Sequence, residues 1–224
     1  MAQRDNEARG RVTDVRRAYT EALLAGDEIT AEIAIREAME AGLSPAHIDE
    51  EIIAPALWLV GELWERGEIS VADEHLATEI CSRVLALRRE AHRVVREREH
   101  HRVLLATPAG ERHEVALRMV SNLLRDAGYR TLMLGADVPH RALTVCARRH
   151  RPDVICLSVT MAEAGLELMS AVREMLLELP STQFVIGGRG VDRRLRPSAG
   201  IEICDRFSEA VEAVDATIKH AKLN

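Results

Sequence analysis

Apolar residues recur at three- and four-residue spacing through the first part of the chain. The spacing is clearest over Val12, Val15, Tyr19 and Leu23. It places these side chains on one face of a helix, because an α-helix has 3.6 residues per turn. Gly26 is expected to end this helix, since glycine commonly follows the last helical residue.

Start and stop signals predict three further helices. Thr30 begins a helix over residues 31–41, which Gly42 closes. Ser44 and Pro45 begin the next helix, because serine caps free backbone amides and proline fits the first helical position. This third helix runs to about residue 66 and stops at Gly67.

Ser70 and Asp73 approximate a capping box and begin a fourth helix that runs to about residue 96. Four helices with short turns predict an antiparallel bundle over residues 1–98.

The hydrophobic period changes after His101. Short apolar runs, typical of buried strands, alternate with helical patterns. The runs cover residues 102–106, 131–134, 154–159, 184–186 and 201–203. The helices are expected from about residues 114, 141, 166 and 209. This alternation over residues 102–224 predicts a flavodoxin-like, doubly wound, parallel five-stranded sheet. The fold class is therefore α plus α/β, and ligands of such a sheet bind beyond the carboxyl ends of its strands.

Composition adds limits on function. The 224 residues are 47% hydrophobic, with a formal net charge of −6, which argues against direct binding of nucleic acid. The four cysteines, at positions 81, 146, 156 and 204, form no C-x-x-C motif. They are expected to be reduced thiols rather than zinc ligands. Without a signal peptide or a long apolar run, the chain is expected to be cytoplasmic and not bound to a membrane.

Residues 88–102 are rich in Arg and His, with several Glu among them. A solvated helix end with mixed charges is the favoured interpretation. A phosphate-binding patch remains the alternative.

The loop after the first strand contains Glu111 and His113. An imidazole at the carboxyl edge of the sheet can bind a metal through one ring nitrogen. The carboxylate two residues earlier can orient the ring through the other nitrogen. The alternative is a helix start that carries charged side chains.

Two further loops meet the same edge of the predicted sheet. Ser158 and Thr160 follow the third strand with two hydroxyls, and Gly187 and Gly188 follow the fourth strand. A diglycine permits close approach of a ligand, although it is often only a turn.

Together these loops resemble the cobalamin-binding family, which carries D-x-H-x-x-G, then S-x-T or S-x-L, then G-G. Here Glu111 replaces the Asp and Ala116 replaces the last Gly of the first motif. The resemblance implies that His113 is the lower axial ligand of cobalt. It also implies that Ser158 and Thr160 contact the buried nucleotide tail, with Gly187 and Gly188 walling its tunnel.

The helical segment also resembles this family. The stretch from Val60 to Ile69 follows V-G-x-x-W-x-x-G-x-I, as in the helical cap over the upper corrin face. Trp64, followed ten residues later by Glu74 and His75, is similar to the cobalamin-dependent photoreceptors. The resemblance implies that the corrin lies between the two domains and that Trp64 and Glu74 contact a 5'-deoxyadenosyl group. The alternatives are a bundle core for Trp64 and an exposed helix face for Glu74 and His75.

Three functions remain open under this resemblance. The favoured one is a light sensor in which photolysis of adenosylcobalamin changes domain packing or assembly. Its output would pass through a homo-oligomer or a downstream signalling protein, because the chain begins almost at the bundle, without a helix-turn-helix domain. These sensors place a His after the capping Trp, where this chain has Glu65; His75 or His47 would have to take its place.

The second is a corrinoid carrier of a methyltransferase system, which would use methylcobalamin. The third is a sensor that also binds a bilin, biliverdin. Residues 88–102 would then pair with the propionates of the biliverdin. An enzyme is disfavoured, because cobalamin mutases need a separate substrate barrel and the cofactor supplies the chemistry.

Overall fold

The computed structural model describes residues 2–91, 101–192 and 198–221. The chain divides into two compact units, residues 1–92 and 93–224. No helix among the described residues is both long enough and apolar enough to cross a membrane.

The first unit is helical throughout the described residues. Its elements are α1 (Ala2–Ala25), α2 (Glu28–Glu40), α3 (Pro45–Ile48), a π-helical turn (Asp49–Ile53), α4 (Ala54–Glu65) and α5 (Val71–Ala91). Because α3, the π turn and α4 follow one another without a break, they form the predicted third helix. The four-helix bundle is therefore confirmed, with a π turn that the periodicity did not reveal.

The helix caps explain where these helices begin. The Ser44 hydroxyl accepts the N–H of His47, as predicted. Ser70 and Asp73 form the predicted capping box, with Ser70 N–H 2.8 Å from the Asp73 carboxylate. The start of α2 was predicted wrongly. Asp27, not Thr30, is the cap, since its carboxylate accepts both the N–H and the hydroxyl of Thr30.

A charged pair is buried in the core of the helical unit. Both guanidinium NH groups of Arg88 donate to the carboxylate of Asp49, at 2.5 and 2.9 Å. The Arg88 side chain is 3% exposed and that of Asp49 is 0% exposed. The pair ties the π turn to α5. The prediction of a solvated helix end is therefore wrong for Arg88, while residues 92–100 of that segment lie outside the described residues.

We expect Arg88→Met to lower the free energy of unfolding by about 3–5 kcal/mol, because it leaves the Asp49 carboxylate buried without its partner. The double variant Asp49→Leu/Arg88→Met should recover most of this loss, since no charge then remains buried. Urea unfolding of the full chain measures both.

The matched control is Arg83→Met, also in α5. Arg83 pairs with Glu28 at 2.7 Å at the surface, so its loss should cost less than about 1 kcal/mol. An Arg88→Met variant as stable as the Arg83→Met variant would contradict a structural role for the buried pair.

The second unit is a parallel sheet with helices on both faces. Its strands are β1 (Arg102–Pro108), β2 (Arg130–Val138), β3 (Val154–Ser158), β4 (Gln183–Gly187) and β5 (Ile201–Cys204). Its helices are α6 (Val115–Asp126), α7 (His140–His150), α8 (Ala162–Glu178) and α9 (Ala210–Ala221), with a 3-10 turn at Phe207–Glu209. The strand order β2-β1-β3-β4-β5 confirms the flavodoxin-like topology.

Each face of the sheet has its own apolar core. Side chains of α7 and α8, including Leu143 and Val172, pack on one face. Leu117 of α6 and Val214 of α9 pack on the other. Every residue of β3 is buried, which accounts for its continuous apolar sequence.

The cysteines of the chain are free thiols, as predicted. Cys81 and Cys156 are buried, and burial raises the pKa of the Cys81 thiol to about 12.

Candidate functional site

The loop between β1 and α6 is held at the carboxyl edge of the sheet by its own main chain. Glu111 N–H donates to the carbonyl of Pro108 at 3.0 Å. The Glu111 carbonyl accepts the Thr107 hydroxyl and the N–H of Asp137 at the end of β2. The peptide on each side of Glu111 is therefore fixed, and its side chain is directed inward.

The Glu111 carboxylate is 0% exposed and accepts four N–H donors. One oxygen accepts the main-chain N–H of His113 at 3.0 Å and the His113 ring nitrogen Nδ1 at 2.5 Å. The other oxygen accepts the main-chain N–H groups of Thr160 and Met161, at 2.7 and 2.8 Å. Glu111 thus joins the β1–α6 loop to the turn before α8.

These contacts set the charge of Glu111. Burial disfavours the ionised carboxylate, but the four N–H donors outweigh it. The net result is a pKa below the ordinary value for glutamate. Glu111 is therefore an anion in the folded protein.

The anion in turn fixes the proton of His113. A carboxylate that has no proton can only accept, so the Nδ1 atom of His113 must donate to it. In the neutral ring this leaves Nε2 with a free lone pair, which is the form that binds metals. The His113 side chain is 57% exposed, so this lone pair is accessible. The arrangement fits a metal ligand oriented by a carboxylate.

The hydroxyl residues predicted after β3 differ in their environments. Ser158 is buried and pairs with Gly187 across β3 and β4. Thr160 is half-buried, and its N–H, rather than its hydroxyl, contacts Glu111. That either hydroxyl contacts a nucleotide tail stays a prediction.

The two glycines after β4 are required by protein packing. A Cβ on Gly188, whose φ is +109°, would lie 2.2 Å from the carbonyl oxygen of Val159. A Cβ on Gly187 would lie 2.7 Å from the carbonyl oxygen of Cys204. Close approach of neighbouring backbone therefore already explains the diglycine, and the tunnel role stays a prediction. Ala116 lies half-buried in the first turn of α6.

The helical unit carries the other predicted residues. Trp64 is 46% exposed near the end of α4, so it is not part of the bundle core. Glu74 lies in the first turn of α5. One Glu74 oxygen accepts the Thr78 hydroxyl at 3.0 Å, and the other lies 2.6 Å from Nδ1 of the exposed His75. Glu74 and His75 thus repeat, on a helix, the pairing of Glu111 and His113.

Family comparison agrees with both units. Models of the B12 binding domain match residues 15–89 and residues 101–215, the second of which covers half of the chain. The chain belongs to the B12-binding domain family.

Two kinds of relatives are similar to this member of the B12-binding family. The HTH-type transcriptional repressor CarA of Myxococcus xanthus is 33% identical over 157 residues, 69% of this chain and 54% of CarA. CarH of the same organism is 33% identical over 62% of this chain and 46% of CarH. The chain spans about half the length of these two repressors. Trimethylamine corrinoid protein 1 of Methanosarcina mazei is 25% identical over 88% of this chain and 91% of that protein.

Among solved structures, the monomethylamine corrinoid protein of Methanosarcina barkeri matches with a TM-score of 0.73. The match covers 90% of this chain and 97% of that one. At 18% identity, this match shows only that the two chains share a fold.

The donor set fits a cobalamin. Within the described ranges, no three His, Cys, Asp or Glu side chains are grouped so that they could hold a metal ion by themselves. His113 would instead supply one ligand to a cobalt that the corrin ring already holds. Cobalamin binding is thus supported by the family and by the chemistry of the loop.

Three contacts around these residues were missed from the sequence. The i+4 spacing of Glu74 and Thr78 could have revealed their hydrogen bond. The contacts of Asp137 with Gly110 and Glu111 join positions 26 or 27 residues apart. No local pattern signals them, because they depend on the pairing of β1 with β2.

We expect Glu111→Gln to lower the free energy of unfolding at pH 7 by about 1–3 kcal/mol, because the amide must turn an NH₂ group toward at least one buried N–H donor. This difference from the wild type should be complete above the pKa of glutamate in the unfolded chain, about 4.3. The difference should shrink as the pH falls through the lower pKa that Glu111 has in the folded protein.

Urea unfolding of both proteins between pH 3 and pH 8 measures the effect. Glu114→Gln is the matched control, because Glu114 lies in the same loop but its partly exposed carboxylate pairs with Arg118 of α6. A Glu111→Gln variant that behaves like the control at every pH would contradict the buried anion.

Proposed function

We propose that this chain is an adenosylcobalamin-binding, light-sensing regulatory protein whose packing or assembly changes on illumination. The observation that carries the proposal is the exposed Trp64 together with Glu74 and His75, which are held as a pair at the start of α5. The higher identity to the two repressors than to the corrinoid proteins supports a regulatory role. When bound, adenosylcobalamin supplies a cobalt–carbon bond that visible light breaks.

On the lower side of the corrin, His113 is the proposed ligand. Glu111 keeps the proton on Nδ1 and so presents Nε2 to the cobalt. The proposed path of the nucleotide tail is bordered by Ala116, Ser158, Thr160, Gly187 and Gly188. These residues are proposed to bind and orient the cofactor, and none of them is proposed to be catalytic.

On the upper side, Trp64 and Glu74 are proposed to contact the adenosyl group. A tryptophan that is 46% exposed offers a large apolar face for the adenine or the ribose. The Thr78 hydroxyl restrains the Glu74 carboxylate, which can accept hydrogen bonds from ribose hydroxyls. Loss of the adenosyl group would expose this face again and favour a different packing of the protein.

Glu65 stands where the resembling sensors place a histidine after the tryptophan. We propose that His75, rather than His47, takes the place of that histidine. Its Nδ1 is paired with Glu74, so Nε2 is the nitrogen available to a metal. The exposed His47 has no carboxylate contact of this kind among the described residues.

The direct test is the absorption spectrum of the protein with adenosylcobalamin before and after green light, with elution volume followed in parallel. We expect a bound adenosyl spectrum that converts on illumination, together with a change in elution volume. Conversion without any change in size or shape would contradict an output through assembly.

A variant separates the role of Trp64 from general packing. We expect Trp64→Ala to weaken binding of adenosylcobalamin more than binding of hydroxocobalamin, because only the first has the upper group that Trp64 would contact. Trp58→Ala is the matched control, since Trp58 lies in the same helix and is 42% exposed. Equal loss of both corrinoids in the Trp64 variant would count against the adenosyl contact.

The corrinoid carrier is the second candidate. It is supported by the similarity to trimethylamine corrinoid protein 1, which is 25% identical over 88% of this chain. A carrier would bind methylcobalamin in preference to adenosylcobalamin and would deliver its methyl group to a partner methyltransferase. It would show no change in elution volume on illumination.

Biliverdin as a second chromophore stays a prediction. Arg88 is committed to Asp49, and Arg102 donates to the carbonyl of His150. Arg88 is therefore a poor partner for a propionate, whereas Arg102 is exposed and has further N–H donors. Residues 92–100 lie outside the described part of the chain. A shifted absorption band of added biliverdin would support the two-chromophore variant of the proposal.

A further inference from the structure

Asp137, at the end of β2, has an unusual backbone conformation. Its φ is +56°, and the other described non-glycine residue with a positive φ is Arg151 at +48°. The left-handed region disfavours most residues with a Cβ, although aspartate tolerates it better than most. For Arg151 the conformation has a local reason, because it caps the end of α7.

The conformation of Asp137 serves contacts with the loop that carries Glu111. The Asp137 N–H donates to the Glu111 carbonyl at 2.9 Å and to the Thr107 hydroxyl oxygen at 3.0 Å. The Asp137 carboxylate accepts the N–H of Gly110 at 2.8 Å. One exposed residue of β2 therefore contacts Thr107 at the end of β1 and both Gly110 and Glu111 in the following loop.

Thr107 completes this set of contacts. It is fully buried, and its hydroxyl donates to the Glu111 carbonyl while it accepts from Asp137. The carbonyl of Glu111 thus has two donors, and the position of its Cα follows from them. A shift of this peptide would move the carboxylate away from its four N–H donors.

We propose that Asp137, acting with Thr107, is a positioning residue for the metal ligand His113. It fixes the main chain at Glu111, Glu111 fixes the proton of His113 on Nδ1, and Nε2 is left for the cobalt. The inference rests on the proposed function only in its last step, because the first two steps concern the protein without cofactor.

The test uses three variants of Asp137. Asp137→Ala removes the carboxylate and disfavours the left-handed conformation. Asp137→Gly keeps the conformation and the N–H but lacks the acceptor for Gly110. Asp137→Asn keeps both and is the conservative rescue. Arg151→Ala is the matched control, since it replaces a left-handed residue at the opposite edge of the sheet.

The first readout is the ¹⁵N NMR signal of the His113 ring in cofactor-free protein, recorded at a pH at which the ring nitrogens themselves show the neutral form. We expect a proton on Nδ1 in the wild type, in Asp137→Asn and in Arg151→Ala. Asp137→Ala should shift the ring toward the Nε2–H tautomer, with Asp137→Gly between them. A merely structural role would not move this signal.

The second readout is the affinity for hydroxocobalamin, measured by absorption titration. Loss of such an outer contact typically costs about 10–100-fold in metal affinity, and we expect a decrease of this size for Asp137→Ala. Unchanged affinity in Asp137→Asn and Arg151→Ala would support the positioning role. An Asp137→Ala protein with the wild-type tautomer and affinity would overturn it.

A failure of the proposed function can be distinguished from a failure of this inference. If His113→Ala binds hydroxocobalamin as tightly as the wild type, His113 is not the cobalt ligand. The NMR signal of the cofactor-free variants still decides whether Asp137 positions the ring.

Discussion

The Glu111 carboxylate is the interaction on which the candidate site depends. It is buried, ionised and surrounded by N–H donors from two different loops. Leaving a carboxylate buried without such donors costs several kcal/mol, so its position is set by the backbone around it. Because the ionised Glu111 carboxylate can only accept, Nδ1 of His113 must donate to it, and the neutral ring then carries its proton on Nδ1. The accessible Nε2 lone pair follows from this buried charge.

The sheet brings those loops together. In a parallel sheet all strands end at one edge, and the order β2-β1-β3-β4-β5 places β1 beside both β2 and β3. Glu111 therefore reaches Thr160 after β3, while Asp137 near the end of β2 reaches back to Gly110. Glutamate in place of the family's aspartate has the extra methylene, and here its second oxygen contacts the turn that begins α8.

The sequence predicted the bundle, the sheet and the pairing of Glu111 with His113, because hydrophobic period, caps and short spacings are local signals. It did not predict the burial of Arg88 or the contacts of Asp137, since their partners are distant in the chain. The diglycine was predicted to make room for a ligand, yet the space that a Cβ on Gly188 would need is occupied by the carbonyl of Val159. Elements and pairs that depend on local spacing were thus easier to predict than contacts between residues that are distant in the chain.

The central claim is that the His113 imidazole binds cobalt from below. It is tested most directly by the electron paramagnetic resonance spectrum of bound cob(II)alamin in protein labelled with ¹⁵N-histidine. The unpaired electron couples to the axial nitrogen, so ¹⁴N gives triplet splitting and ¹⁵N gives doublets. The account predicts doublets in the labelled protein and their loss in His113→Ala. A triplet that persists in the labelled wild type would show that the nucleotide base remains the ligand, which would contradict the account.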